Sequence, residues 1–455
     1  MEINQEELIY ILNILDAEIN QYKESDTSVH PYDIAEQLLK LRELSSEEYE
    51  KIIKKMSHEL FAEVLSELPD YVQEETADIF SVKKLANIAS LMDTDDAATL
   101  IQNISEEHEE ISQNILGHFD DEDKELMEQL ISYEWDEAGS YMQTELFSAK
   151  IDENIGVALE RLKALKISGE VDNIWHVHLV NERDKYLGSV GLEDLIIFDH
   201  SLNFEDIPYD KHKNYSVNHK ENIKDVVEKV TNYNLNAIAV VDNKNRLIGR
   251  ITSDDIYDII EETATEQIFN LAGVNDEAEQ DEDMFQIGKT RAIWLGLNLL
   301  TAIAASLVIG IFDATIQSLV ALAILMPIVA SMGGNAGTQT LTVTVRQMAL
   351  GDIEGEDAKK TIYKEVVISL VNGTIFAIVI GIIAYFWFNM PMLGVVIGLS
   401  MIINLLGAGF FGSVIPLVLQ RAGVDPAIGS TVLLTTVTDI VGFFSFLGLA
   451  SIILL

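Results

Sequence analysis

The sequence predicts a multidomain membrane protein: an all-α superhelical N domain, an α+β repeat pair, a connecting helix and a five-helix all-α transmembrane domain. Three observations predict it: charge is segregated along the chain, five apolar stretches follow the charged part, and a self-match at an offset of 61 residues lies between them. The 455 residues carry 30 Lys and Arg against 74 Asp and Glu, a net charge of -44, yet 48% are hydrophobic and mean hydropathy is +0.17. From Met284 onward 7 basic residues meet 8 acidic ones, so -43 of the charge and all nine histidines belong to residues 1–283. A balance this acidic repels phosphate backbones and excludes nucleic acid as a partner. With no cysteine, disulfides, thiolate-held metals and thiol nucleophiles are excluded together.

Residues 1–132 read as a stack of short helices. In Leu60, Phe61, Val64, Leu65 and Leu68, then Ile79, Phe80, Leu85, Ile88 and Leu91, steps of three and four mark amphipathic helices. Breaks at Leu68-Pro69-Asp70 and Met92-Asp93-Thr94-Asp95 separate them, with Asp93, Thr94 or Asp95 as an N-cap.

Over residues 133–253 the period changes. Val180 to Val190 aligns with Val241 to Ile251, each copy being an apolar strand, a polar turn, a second strand opened by Leu/Ile-Gly and then a helix near Leu192 or Asp254. An amphipathic helix precedes each, Ile155 to Lys166 and Ile223 to Tyr233. The doubled unit resembles a tandem pair of CBS domains, which implies adenine-nucleotide clefts and ATP as a possible ligand. Gly249-Arg250-Ile251-Thr252-Ser253-Asp254-Asp255 matches the ribose-binding pattern, with a hydroxyl at Thr252 and a carboxylate at Asp255; the first copy has Gly191 in place of that Thr. Thr252 with Asp255 reads equally well as a helix cap.

Residues 254–286 form the connection. Asp255, Asp258, Glu262 and Glu266 stand at steps of three and four, a carboxylate stripe that destabilises an isolated helix unless a cation or water faces it. Beyond it, 275–283 hold six carboxylates in nine residues, the pattern of a solvated linker.

The transmembrane domain, 287–455, contains stretches at 291–311, 316–345, 362–388, 393–419 and 427–455, each long enough for a hydrocarbon core that needs about 20 helical residues. Lys and Arg flank the first span at its start and follow the second and fourth. The positive-inside rule therefore places the N-terminus in the cytoplasm and the C-terminus outside, in a multi-pass cell (inner or plasma) membrane protein embedded in lipid. Met1 to Tyr10 has no basic region, so no cleavable signal is expected.

One ionisable residue lies deep in a span. Asp439, in Thr435-Thr436-Val437-Thr438-Asp439, costs about 2.5–3.5 kcal/mol on insertion scales and marks an ion or proton path. No membrane Lys, Arg or His neutralises it, so a cation is the natural partner. A two-fold homodimer would bring two copies of Asp439 together and match a divalent ion. Mg2+, small and reluctant to shed water, suits carboxylates, hydroxyls and carbonyls; soft metals do not. In the second span, Pro327 and Ser331 to Thr340 read as a glycine-rich interruption lining the same cavity, with close helix packing at Gly333 and Gly337 as the alternative. Asn404 in the fourth span is a third polar candidate for the cavity, with interhelical hydrogen bonding as its preferred role.

The order of helical acidic domain, CBS pair, acidic connecting helix and five spans resembles the MgtE family of magnesium transporters and channels. Glu134 to Met142, Glu261 to Val274, Ser331 to Gln339, Asp425-Pro426-Ala427 and Thr435 to Gly442 carry the resemblance. It implies a non-enzymatic Mg2+ uptake channel, a homodimer whose pore is lined by Ser331, Gly334, Asn335, Thr338, Thr435, Thr436 and Thr438, with Asp439 as the selectivity carboxylate. It further implies a connecting "plug" helix that closes the pore when cytoplasmic Mg2+ binds Glu63, Asp95, Asp255, Asp258, Glu266 and Asp425. The chain departs from the family at Ser430-Thr431-Val432, where members often have Ser-Gly-Pro or Ser-Asn-Pro, at Gln267, which replaces an acid, and at Thr338, which replaces a pore Asn. The alternatives are a transporter of Co2+, Ni2+ or Mn2+, and a nucleotide- or cation-sensing receptor without transport. A membrane metalloprotease fails, because there is no His-Glu-x-x-His.

Overall fold

The computed structural model describes residues 5–23, 29–171, 173–208, 213–272, 284–349, 353, 357–427 and 429–455. Contacts divide the chain into Met1–Ile260 and Glu261–Leu455, the division falling inside the connecting helix Ser253–Ala272. The acidic run at 275–283 lies outside the described residues.

The first unit opens with helices from Gln5–Lys23 to Asp121–Ile131. Ser45 and Ser57 begin two of them, their hydroxyls accepting from the N–H groups of Glu48 and Leu60. The breaks expected at Pro69 and Asp93 are present, as N-caps of Asp70–Ile79 and Thr94–Leu116. Phe61, Leu65, Leu85 and Leu100 are fully buried in a core shared with Val226, Ile238 and Ile251 of the second repeat copy. Hydrophobic burial thus joins the helical domain to that copy.

The repeat is visible in the backbone. Strands β1 (Ser148–Lys150), β2 (His176–Val180) and β3 (Tyr186–Gly191) form one sheet, and β4 (Ser216–Asn218), β5 (Ala237–Val241) and β6 (Leu247–Thr252) the other. In each, the first strand pairs parallel with the second, and the second antiparallel with the third. The register shifts fall at Leu179/Val180 and Val240/Val241, and the left-handed turn residues are Asp184 and Asn245, so the offset of 61 holds to the residue. Asn and Asp tolerate that conformation. The turns also pair with each other, Tyr186 N–H donating to Asn245 O at 2.9 Å and Leu247 N–H to Asp184 O at 3.1 Å, as a local two-fold requires.

In the second unit five helices are long and apolar enough to cross a membrane: Ile287–Ile311, Ala321–Met348, Ala358–Phe388, Pro391–Arg421 and Ser430–Ile453. Leu299, Leu300 and Leu307 point outward from the first, a face suited to lipid. A short helix, Asp313–Ser318, separates the first two spans, so the second begins at Ala321 and not at 316. The expected interruption is corrected too, since Ala321–Ala349 runs on as one helix through Pro327 and its glycines. Those glycines serve contact. A Cβ at Gly337 would lie 3.0 Å from Leu434, and one at Gly412 2.9 Å from the Gly337 carbonyl.

Candidate metal centres

Asp439 sits one turn before Gly442 in the fifth span, half-buried, and among the described residues its carboxylate has no hydrogen-bond or ion-pair partner. A carboxylate desolvated without a partner is unfavourable until a cation or proton joins it. The neighbouring threonines turn to their own helix: Thr435 Oγ1 donates to the carbonyls of Thr431 and Val432, Thr436 Oγ1 to Val432 at 2.6 Å, and Thr438 Oγ1 to Leu434 and Thr435. Thr438 is fully buried inside the bundle, whereas Thr435 and Thr436 are half-buried.

On the second span the burial pattern separates two faces. Gly333, Gly337 and Thr340 are buried, while Ser331 and Asn335 are exposed, with Gly334 and Thr338 half-buried between them. Asn335 Nδ2 lies 3.4 Å from Ser331 Oγ. A polar stripe facing away from its own bundle is costly against lipid and calls for water or another protein surface.

At the other end of the fifth span, Asp425 Oδ1 accepts from the Ala427 N–H at 2.7 Å and the Ser430 hydroxyl donates to the Pro426 carbonyl. The connecting helix reaches this place. Leu271 packs beside Leu341, Val345, Ala427 and Leu434, and its carbonyl accepts from Thr431 Oγ1. Glu266, one turn earlier and half-buried, accepts from Asn270 Nδ2 at 3.3 Å.

The first unit holds a carboxylate cluster. Asp95 is 8% exposed, and its buried Oδ1 has no hydrogen-bond partner among the described residues. Burial raises its pKa well above the usual range, and the charges of Asp255 and Asp96 add to the effect. Asp96 is pushed up to about 7 by burial and by Asp93, Asp255 and Glu67. Asp255 is pushed up to about 6, burial outweighing the opposing hydrogen bonds from Thr252. The three acids therefore oppose one another, and a divalent cation would relieve all of them. Among the described residues no three His, Cys, Asp or Glu side chains are gathered at metal-ligating geometry. Asp258 is exposed on the same helix, while Glu63 accepts from the Tyr22 hydroxyl at 2.6 Å.

Asp255 caps the residue before its helix, Thr252, from one side. The Thr252 N–H and Oγ1 both donate to Asp255 Oδ2, at 3.0 and 2.7 Å. A ribose bound here would compete with that pair.

Two acids escaped the sequence reading. Asp96 was hidden beside Asp95, although consecutive acids in a first helical turn beside a buried face are a usable signal. Glu365, near the start of the third span, is 7% exposed and accepts from Thr340 Oγ1 at 3.2 Å.

An apolar five-span bundle with a carboxylate that has no partner among the described residues, carried by a chain that also has an acidic helical domain and a CBS pair, defines a membrane cation transporter with an appended CBS module. A family model described as MgtE, divalent cation transporter, matches residues 326–449; the MgtE intracellular N domain matches 29–136 and a CBS domain 206–262. The magnesium transporter MgtE of Enterococcus faecalis is 30% identical over 325 residues, 71% of each chain. That of Thermus thermophilus is 27% identical over 429 residues, 94% of this chain and 93% of its own. A solved soluble part of a magnesium transporter, 22% identical, shares the fold with a TM-score of 0.50 over 57% of this chain and 99% of its own. The chain belongs to the MgtE family of magnesium transporters.

Proposed function

We propose that this chain is a Mg2+-selective uptake channel that works as a homodimer, with Asp439 of each copy at the selectivity site and the acidic half in the cytoplasm as a Mg2+ sensor. The observation that carries the proposal is the Asp439 carboxylate, half-buried within a span and without a partner among the described residues. Two such groups across a two-fold axis supply the charge of one divalent ion. The outward stripe of Ser331, Asn335 and Thr338 supports a water-filled path, to which Gly334, Thr435 and Thr436 add backbone and hydroxyl oxygens.

For gating, low Mg2+ leaves Asp95, Asp96 and Asp255 repelling one another, and Mg2+ favours whichever arrangement lets it bridge them. Glu63, Asp258, Glu266 and Asp425 extend the same role along the helical domain, the connecting helix and the entry to the fifth span. The ion shifts the equilibrium only by its differential affinity for the two states. ATP is proposed as a second ligand at Thr252 and Asp255, where a ribose would replace the Thr252–Asp255 bond; equilibrium dialysis of ATP against the wild-type chain and Thr252→Val tests it, and equal binding by both would remove Thr252 from the site.

Growth of cells lacking other Mg2+ uptake tests transport itself. The wild-type chain should restore growth at low Mg2+ and Asp439→Ala should not. Undiminished rescue by Asp439→Ala removes the pore assignment.

A further inference from the structure

Asn404 is fully buried at the meeting of three spans. Its Nδ2 donates to the Val329 carbonyl of the second span at 2.8 Å. A Cβ built on Gly333 would lie 2.2 Å from that nitrogen, and one built on Gly442 of the fifth span 2.8 Å from it. Both neighbouring helices therefore carry glycine where the amide enters. Gly442 lies one turn after Asp439, and Gly333 lies between Ser331 and Asn335, so one side chain touches the backing of both candidate ion-path segments.

Packing alone does not explain the residue. Among the described residues its buried Oδ1 has no partner, an arrangement that disfavours the folded protein compared with an apolar side chain of the same shape. Leucine has the same side-chain branching and would leave no polar atom unsatisfied, although its methyl groups are bulkier than the amide. What leucine cannot do is fix the second span through a directed bond to a backbone carbonyl.

We infer that Asn404 is a positioning residue for ion selection: its amide locks the second span against the fifth and so sets the spacing of the Ser331–Asn335 face about Asp439. The inference rests on the reading of Asp439 as the ion site. Displacements of about 1 Å at a site are enough to cost on the order of 10- to 100-fold in performance, so the effect should appear in selectivity.

The test uses the full chain in proteoliposomes, with Mg2+ and Co2+ uptake measured over a concentration series beside a thermal melt. Asn404→Leu should still melt cooperatively, yet its Mg2+/Co2+ uptake ratio should fall ~10-fold or more. A wild-type ratio and half-saturating Mg2+ in a folded Asn404→Leu would overturn the inference. If Asn404→Leu does not fold, Gly333→Ala decides, because its methyl pushes on the same nitrogen: a lowered ratio supports the lock and an unchanged one overturns it. Asn404→Ala with Gly333→Ala should recover the melt but not the ratio, which a purely structural role would restore. Asp439→Asn in the same vesicles reports on the ion site by itself. Retained selectivity there defeats the Asp439 reading, whereas the Asn404 variants test the lock.

Discussion

The hydroxyl of Thr431, in the first turn of the fifth span, donates to the carbonyl of Leu271 in the last turn of the connecting helix at 2.8 Å. Among the described residues that carbonyl, in the last turn of the helix, has no other partner. Thr431 stands where the MgtE pattern often has Gly or Asn before proline, so this chain ties its connecting helix to the fifth span with its own residue. Where the connecting helix plugs the pore, as the family resemblance implies, the bond belongs to the closed state. Thr431→Val keeps the shape and removes about 1 kcal/mol of closure. Half-inhibitory Mg2+ should rise roughly fivefold in vesicle flux assays, and an unchanged value would detach the bond from gating.

The carboxylate cluster makes stability depend on pH. Asp96 and Asp255 rise from 3.8 to about 7 and about 6 in the folded protein, and Asp95 rises as well. Between those values and the unfolded ones the folded state holds more protons, so stability falls as pH rises from about 4 to about 7. Without divalent ions, limited proteolysis should cut the full chain faster at pH 7.5 than at pH 5.5. Mg2+ should protect it at pH 7.5 and much less at pH 5.5, where protons hold its oxygens. Equal protection at both would contradict the cluster as a Mg2+ site.

Asp95→Asn removes one of the opposing charges and keeps the shape. The apo protein should melt a few degrees higher, since about 1 kcal/mol corresponds to ~2–4 °C at this domain size. The Mg2+-induced rise in melting temperature should shrink with it. A lower apo melting temperature would mean that Asp95 stabilises the fold as a charge, against the sign of its shift.

Glu365 tests a buried contact of the membrane domain. Glu365→Ala opens a void and strips Thr340 of its acceptor, at about 2–4 kcal/mol. Glu365→Gln keeps an acceptor and should cost within about 1 kcal/mol. Melts in detergent measure both, and equal losses would show that the charge, not the hydrogen bond, matters.

Much of this was legible in the sequence because the signals were local. The 61-residue offset predicted β2, β3, β5 and β6, and even the matched turn residues Asp184 and Asn245. Strands β1 and β4, three residues each, were not legible, because they exist only through parallel pairing with distant partners. Glycines in the second span looked like a helix break, since propensity in water disfavours them. In the bundle, contacts with Asn404 and Leu434 decide instead. Glu365 was hidden for the same reason, its burial depending on Thr340 of a neighbouring helix and not on its place in its own.

Single-channel recording with Mg2+ titrated on the side of the acidic half tests the central claim most directly. The account predicts Mg2+ current at low Mg2+ on that side, progressive closure as Mg2+ rises, and no Mg2+ current from Asp439→Ala at equal protein density. Undiminished Mg2+ current through Asp439→Ala would contradict it.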